Sequence, residues 1–443
     1  MQALLVGTLL ALVSFGAGCS HAHWRPDYKV HREKLPNGLT VLYVEDHTAP
    51  VVSYTTWFKV GSAWEKPGST GIAHLFEHMM FKGTSRYPAR KFFEALESKG
   101  ALVNAYTQRD STVYYEVIAA KYLETVIDME SDRLANLLLT QADLDSERQV
   151  VKEERRLRVD SNFGAQQMES LEKLAFPTHP YGWPVIGYQE DLDRLSLKEC
   201  EDFFRDYYQP GNAIVTIAGD FDYERAREWM TKYYGKLAGH PVRELALRDE
   251  KTAPGEKRLT IERPVEAESL LIGYYIPSMY SEDAERLSML AWALFGMNSS
   301  RSNVELVRKK QLALGVGAEA TLERYPSLFL VSAELKTGQR AGAVEEEIYK
   351  LIEEAKEKPL GEDELERVKN GLLYSTINES KSSAGVAGWL TSGEFYWNDH
   401  QRIFEKLDKY YAMKPEELRQ VARKYLNKEN RVVVVMKPQG EKP

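Results

Sequence analysis

The chain has 443 residues, 43% hydrophobic and 28% charged, with a formal net charge of −8 at pH 7. This ordinary globular composition excludes disordered, collagen-like and coiled-coil chains, and at about 150 residues per domain it predicts about two to four domains. The acidic balance, with no Lys/Arg-rich run, disfavours a nucleic-acid partner, and two cysteines exclude a disulfide framework or a Cys-rich zinc domain.

Residues 4–18 form the one long apolar run. It is too short for a comfortable membrane span and lies at the extreme amino end, as the apolar region of a signal peptide does. The expectation is an exported protein with a signal segment over residues 1–22. One cut would follow Ala22. Another would precede Cys19 and leave that cysteine for lipidation and membrane attachment. Gly16-Ala17-Gly18-Cys19 resembles a bacterial lipoprotein box, departing from it at Gly16, and implies a periplasmic or outer-membrane location. Cys200 is then alone and reads as an inert core residue.

Residues 24–34 are polar and read as a leader into a first strand, Leu39 to Val44, after the turn Pro36-Asn37-Gly38. Strand-like and helix-like stretches then alternate, and the pattern repeats. Asp206 to Asn212 followed by the apolar run Ala213 to Ala218 is echoed by Lys424 to Asn430 followed by Val432 to Met436. Tyr114 to Val117 leads into a helical stretch at 121–139, as Leu328 to Val331 leads into 341–356. The period is about half the chain, far longer than solenoid repeats. The sequence therefore predicts two α+β domains related by duplication, spanning 23–240 and 258–443, with a polar linker at 241–257.

Within the first half, Gly71 to Phe81 follows the start signal Pro67-Gly68-Ser69-Thr70. Ile72, Leu75, Phe76, Met79 and Met80 recur at helical spacing, so an amphipathic helix is predicted, ending near Lys82-Gly83. His74 and His78 lie one turn apart on one face, with Glu77 beside them. Two imidazoles so placed can reach one ion, and a free carboxylate can take a proton from water. H-x-x-E-H is the inverted zinc-protease order, although the same letters also fit a helix with two hydrogen-bonded, partly buried histidines.

Leu144, Glu147, Val151 and Glu154 then fall on one stripe of one helix. Carboxylates sharing an apolar stripe need a positive partner, which a metal with its histidines would supply and arginines would supply more blandly. Glu153, Arg155 and Arg156 lie off the stripe and read as a solvated face.

Taken together these residues resemble the pitrilysin/insulinase family of inverted-motif zinc metallopeptidases, in its half-length branch related to mitochondrial processing peptidase subunits. The matching segments run through most of the chain: Leu35 to Leu39, Phe58 to Ser62, Gly71 to Thr84, Asn104-Ala105, Glu147 to Glu154, Pro180-Tyr181-Gly182 with Gly187, and Ser299-Ser300-Arg301. The resemblance implies two mainly antiparallel sheets packed with helices, forming half of a clam-like chamber. It implies His74, His78 and Glu154 as ligands of one Zn²⁺ per chain, Glu77 as general base, and Glu147 as the carboxylate that orients a ligand histidine. It also implies Asn104 and Ala105 as the edge-strand segment holding extended peptide by strand addition.

In the second half Ser288, Ala291 and Trp292 stand where His74, Glu77 and His78 stand in the first, so no second metal is expected. Family members often carry an Arg and a Tyr seven residues apart in that half to hold substrate. Here Val307 and Leu314 replace them, with Arg308 one position away. The resemblance thus implies an exported zinc endopeptidase acting on peptides, paired with a second half-length subunit, a heterodimer more than a homodimer. The competing expectation is a metal-binding but non-cleaving peptide-binding or assembly subunit.

Overall fold

The computed structural model describes residues 24, 26–242, 245, 247, 249–250 and 255–440. The expected signal segment, including Cys19, and part of the expected linker lie outside the described residues. Among the described residues, no helix is long and apolar enough to cross a membrane.

Two sheets organise the chain. The first contains β1 (Val30–Lys34), β2 (Thr40–Glu45), β3 (Val51–Phe58), β4 (Leu102–Thr107), β5 (Thr112–Ala119) and β6 (Ala213–Gly219), in the order β1-β2-β6-β3-β5-β4. The second contains β7 (Lys257–Arg263), β8 (Ser269–Ile276), β9 (Ala313–Ala320), β10 (Ser327–Leu335) and β11 (Arg431–Pro438), in the order β7-β11-β8-β10-β9. Apart from β1 the two orders correspond strand for strand. Each has one parallel pair, β2 with β6 and β7 with β11, among antiparallel neighbours. This is the mainly antiparallel α+β repeat the sequence predicts.

The repeated turn has a repeated cause. Asn212 Nδ2 donates to the Tyr207 carbonyl at 2.8 Å, and Asn430 Nδ2 donates to the Tyr425 carbonyl at 2.8 Å. Each asparagine satisfies a carbonyl at the end of a helix just before a buried strand begins.

Two details of the sequence reading change. Val30–Lys34 is a strand and not a leader. It pairs only with β2 at the sheet edge, where charged side chains are tolerated, so it lacks the alternation that marks a half-buried strand. The helix expected at 121–139 is shorter, Leu123–Asn136.

The halves exchange helices. Phe163–Ala175, from the first half, packs on β7, β8 and β11 of the second sheet. There Leu171 and Ala175 join Leu271, Leu328, Val432 and Val434 in one buried cluster. Ser383–Trp397, from the second half, packs on β2, β3 and β6. There Phe395 buries against Trp57, Val113 and Ile214, and the Thr216 and Thr391 hydroxyls meet at 2.6 Å. At the edge, Glu394 accepts from Arg32 at 2.7 Å.

Candidate metal centre

The helix Ile72–Met79 has eight residues, about two turns, too few to be stable alone. Leu75, Phe76 and Met79 hold it, each with no exposed surface. Its first turn is closed by Glu65, whose carboxylate accepts from the Gly71 and Ala73 amides at 2.9 and 3.0 Å. Gly71 adopts φ 86°, and a Cβ there would lie 2.9 Å from Gly187 Cα, so both glycines are required by a close crossing of backbones. A 3₁₀ turn, Met80–Lys82, ends the helix at Gly83.

The second element is the helix Gln141–Arg155, packed against the first. Leu144 and Val151 are fully buried and fix its rotation, which turns Glu147 and Glu154 toward the histidines. His74 Nε2 lies 3.8 Å and His78 Nε2 3.3 Å from Glu154 Oε2. The donor atoms of the three residues all lie within 4.8 Å of one another. Two ligands of a tetrahedral zinc, each about 2.0–2.1 Å from the ion, stand about 3.4 Å apart, so this spacing and this donor set fit the ion with little movement. Among the described residues this is the one such group found.

The surrounding bonds assign further roles. His78 Nδ1 meets Glu147 Oε2 at 3.1 Å, and Lys82 holds the other Glu147 oxygen at 2.5 Å. Arg158 Nη1 holds Glu154 Oε1 at 2.8 Å. His74 Nδ1 is buried without a hydrogen-bond partner. Glu77 is buried beside the pair, and Thr107 Oγ1 donates to its Oε2 at 2.5 Å. Glu77, His78, Phe81, Lys82, Phe93, Asn104 and Glu147 line a cavity of about 410 Å³.

The electrostatics follow from this packing. Burial, and then the neighbouring His78, push the pKa of His74 down to about 4. His78 is also buried, but its hydrogen bonds to Glu147 and Glu154 outweigh that and raise it to about 9. Glu154 is held low, first by its bond to His78. Burial raises Glu77, against the opposing bond from Thr107. That direction suits a general base poised nearer neutrality.

The structure brings His74, Glu77, His78, Glu147 and Glu154 into one site. Asn104 and Ala105 lie on β4, an edge strand paired only with β5. By strand alternation they face opposite sides: Ala105 is half-buried, Asn104 is exposed, and the Asn104 Oδ1 accepts from the Ala105 amide at 2.9 Å. Sequence reasoning missed Thr107, Lys82 and Arg158. Alternation from Ala105 could have placed Thr107 on the inner face of β4. It also misread Arg155, which is buried with its guanidinium donating to the Gly187 carbonyl at 2.8 Å and to Glu169. Val307 is partly buried against the second core, and Leu314 is exposed on β9.

Residues 40–188 match the family described as insulinase (peptidase family M16), and residues 194–372 match the family's inactive domain. The chain belongs to the insulinase family of peptidases. It is similar to a Helicobacter pylori zinc protease, PqqE, at 29% identity over 99% of both chains. A crystal structure of an H. pylori protease has the same fold, with TM-score 0.88 and 29% identity over 93% of this chain and 100% of that one. The Escherichia coli periplasmic protease PqqL shares the fold at TM-score 0.78 and 18% identity, this chain matching 48% of its length. This insulinase-family chain thus shares its fold with about half of that longer protein.

Proposed function

We propose that the chain is an exported zinc metalloendopeptidase that cleaves extended peptides. The observation carrying this reading is the convergence of His74 Nε2, His78 Nε2 and Glu154 Oε2, with Glu77 beside them. These three residues would hold one Zn²⁺ per chain, which supplies Lewis-acid polarisation of a carbonyl and of water when bound. Glu147 orients His78 through Nδ1, and Lys82 fixes Glu147.

Glu77 is the general base. Thr107 occupies its Oε2, which leaves Oε1 to take the proton of the attacking water and deliver it to the leaving amine. The free edge of β4 at Asn104 and Ala105 receives the peptide backbone, and the Asn104 side chain now on the Ala105 amide gives way to it. Residues 23–240 form the catalytic domain, 241–257 the linker and 258–443 the non-catalytic domain. Leu314, in place of the family tyrosine, cannot donate a hydrogen bond. The missing contacts come from a second half-length subunit, a heterodimer being favoured, which closes the chamber. Residues 1–22 direct export, with Cys19 the point of lipidation. Exposed Leu314 also favours a second reading, a metal-binding peptide-binding or assembly subunit that does not cleave.

The test is hydrolysis of a mixed peptide library by the zinc-loaded chain, followed by mass spectrometry beside Glu77→Gln. Cleavage by the wild type and not by the variant is expected once the partner is supplied. Cleavage without any partner would overturn the obligate heterodimer. No cleavage with partner and zinc both present would overturn the peptidase reading in favour of the second one.

A further inference from the structure

Glu154 uses its two oxygens differently. Oε2 faces both imidazoles, while Oε1 is taken by Arg158 Nη1 at 2.8 Å. Arg158 stands in a π turn, Arg156–Asp160, that continues the helix carrying Glu154. Such turns are frequent at functional sites. Its side chain is 75% exposed and, among the described residues, has no other ion pair, so as a surface pair it adds little to stability. Nor does the fold require an arginine there. Counting from the buried leucines Leu144 and Leu365, the second-half counterpart of Arg158 is Glu379, which accepts from Trp389 Nε1 at 2.8 Å.

We infer that Arg158 is a positioning residue that withholds Oε1, so that Glu154 offers a metal one oxygen and not two. The inference rests on the zinc reading of the site. Its chemical consequence is specific. Two imidazoles and one carboxylate oxygen make three donors and leave a fourth position for water, as a catalytic zinc requires. A carboxylate giving both oxygens would add a fifth donor beside that water and take the site out of four-coordination. No other cation replaces Arg158 here, because Lys82 is engaged by Glu147.

Cobalt(II) in place of zinc reports coordination number through its visible absorption, without reference to activity. The wild-type chain is expected to take up one equivalent and give the intense bands of a four-coordinate site. Arg158→Ala, at an exposed position, is expected to fold and to lose about twofold or more of that intensity as a fifth donor enters. Arg158→Lys, which keeps a cation on Oε1, is expected to retain it. Unchanged bands in Arg158→Ala would overturn the inference while leaving the metal site intact. Absence of cobalt uptake by the wild type would instead remove the metal reading itself, and this inference with it.

Discussion

The two halves of the molecule carry the same sheet, helices and turns, and differ in what fills one place. In the first half, His74, Glu77 and His78 on one helix face Glu147 and Glu154 on another. In the second, Ser288 and Ala291 lie on Ala284–Ala291, and the turn after it, which Trp292 begins, packs on the helix Glu362–Glu379. Counted from the same buried leucines, the two glutamates become Val368, fully buried, and Ser375. The Trp292 ring lies against this helix, 3.7 Å from where a Cβ on Gly371 would stand. An indole fills the space that ionisable groups occupy in the first half. The scaffold thus tolerates either a charged cluster or an apolar plug, and only a handful of side chains decide which.

The largest way to break this comparison is at Glu77. Glu77→Gln should leave zinc content at one per chain and lower the peptide hydrolysis rate by about 10²–10⁴-fold, measured with matched zinc occupancy. Glu147→Gln should act on the metal, weakening zinc by about tenfold to a hundredfold in a chelator competition, because His78 loses the carboxylate that orients it.

On the other side, Trp292→Ala should cost about 2 kcal/mol in urea unfolding, less than for a fully buried ring, and should not change zinc content. The pair Ser288→His with Trp292→His should still bind no second zinc, since Ser375 supplies no third charged donor.

The smallest effect lies where the halves meet. His179 is buried, its ring 5.3 Å from Tyr325 of the second half and its Nδ1 accepting from the Tyr181 amide. Burial, opposed by Glu250, pushes its pKa down to about 4. The folded chain then binds this proton only near pH 4, whereas the unfolded chain binds it below about 6.5. Its contribution is full above pH 6.5 and is lost as pH falls toward 4. His179→Asn should therefore flatten the fall in unfolding free energy between pH 7 and pH 5, by up to about 2 kcal/mol.

Much of this was legible in the sequence because it was local. The histidines lie on one helix turn, and the glutamates share a stripe set by Leu144 and Val151. The supporting contacts were not legible, because they join distant positions. Thr107 reaches Glu77 across 30 residues, and Glu147 reaches His78 across 69. Arg155 looked solvated because its letter is charged, yet Gly187 and Glu169 enclose it through the tertiary fold. The edge strand β1 was hidden by the charge that suits it to an edge.

The exchange of Phe163–Ala175 and Ser383–Trp397 between the halves makes the join a clasp and not a hinge. Each half would expose a sheet face if separated, since part of its own covering belongs to its neighbour. A chain nicked in the 241–257 stretch should stay together as a tight two-fragment complex, whereas either fragment produced alone should be sticky and poorly folded. The half without chemistry is in this sense a chaperone built into the chain, gripping the helix that begins just beyond Glu154.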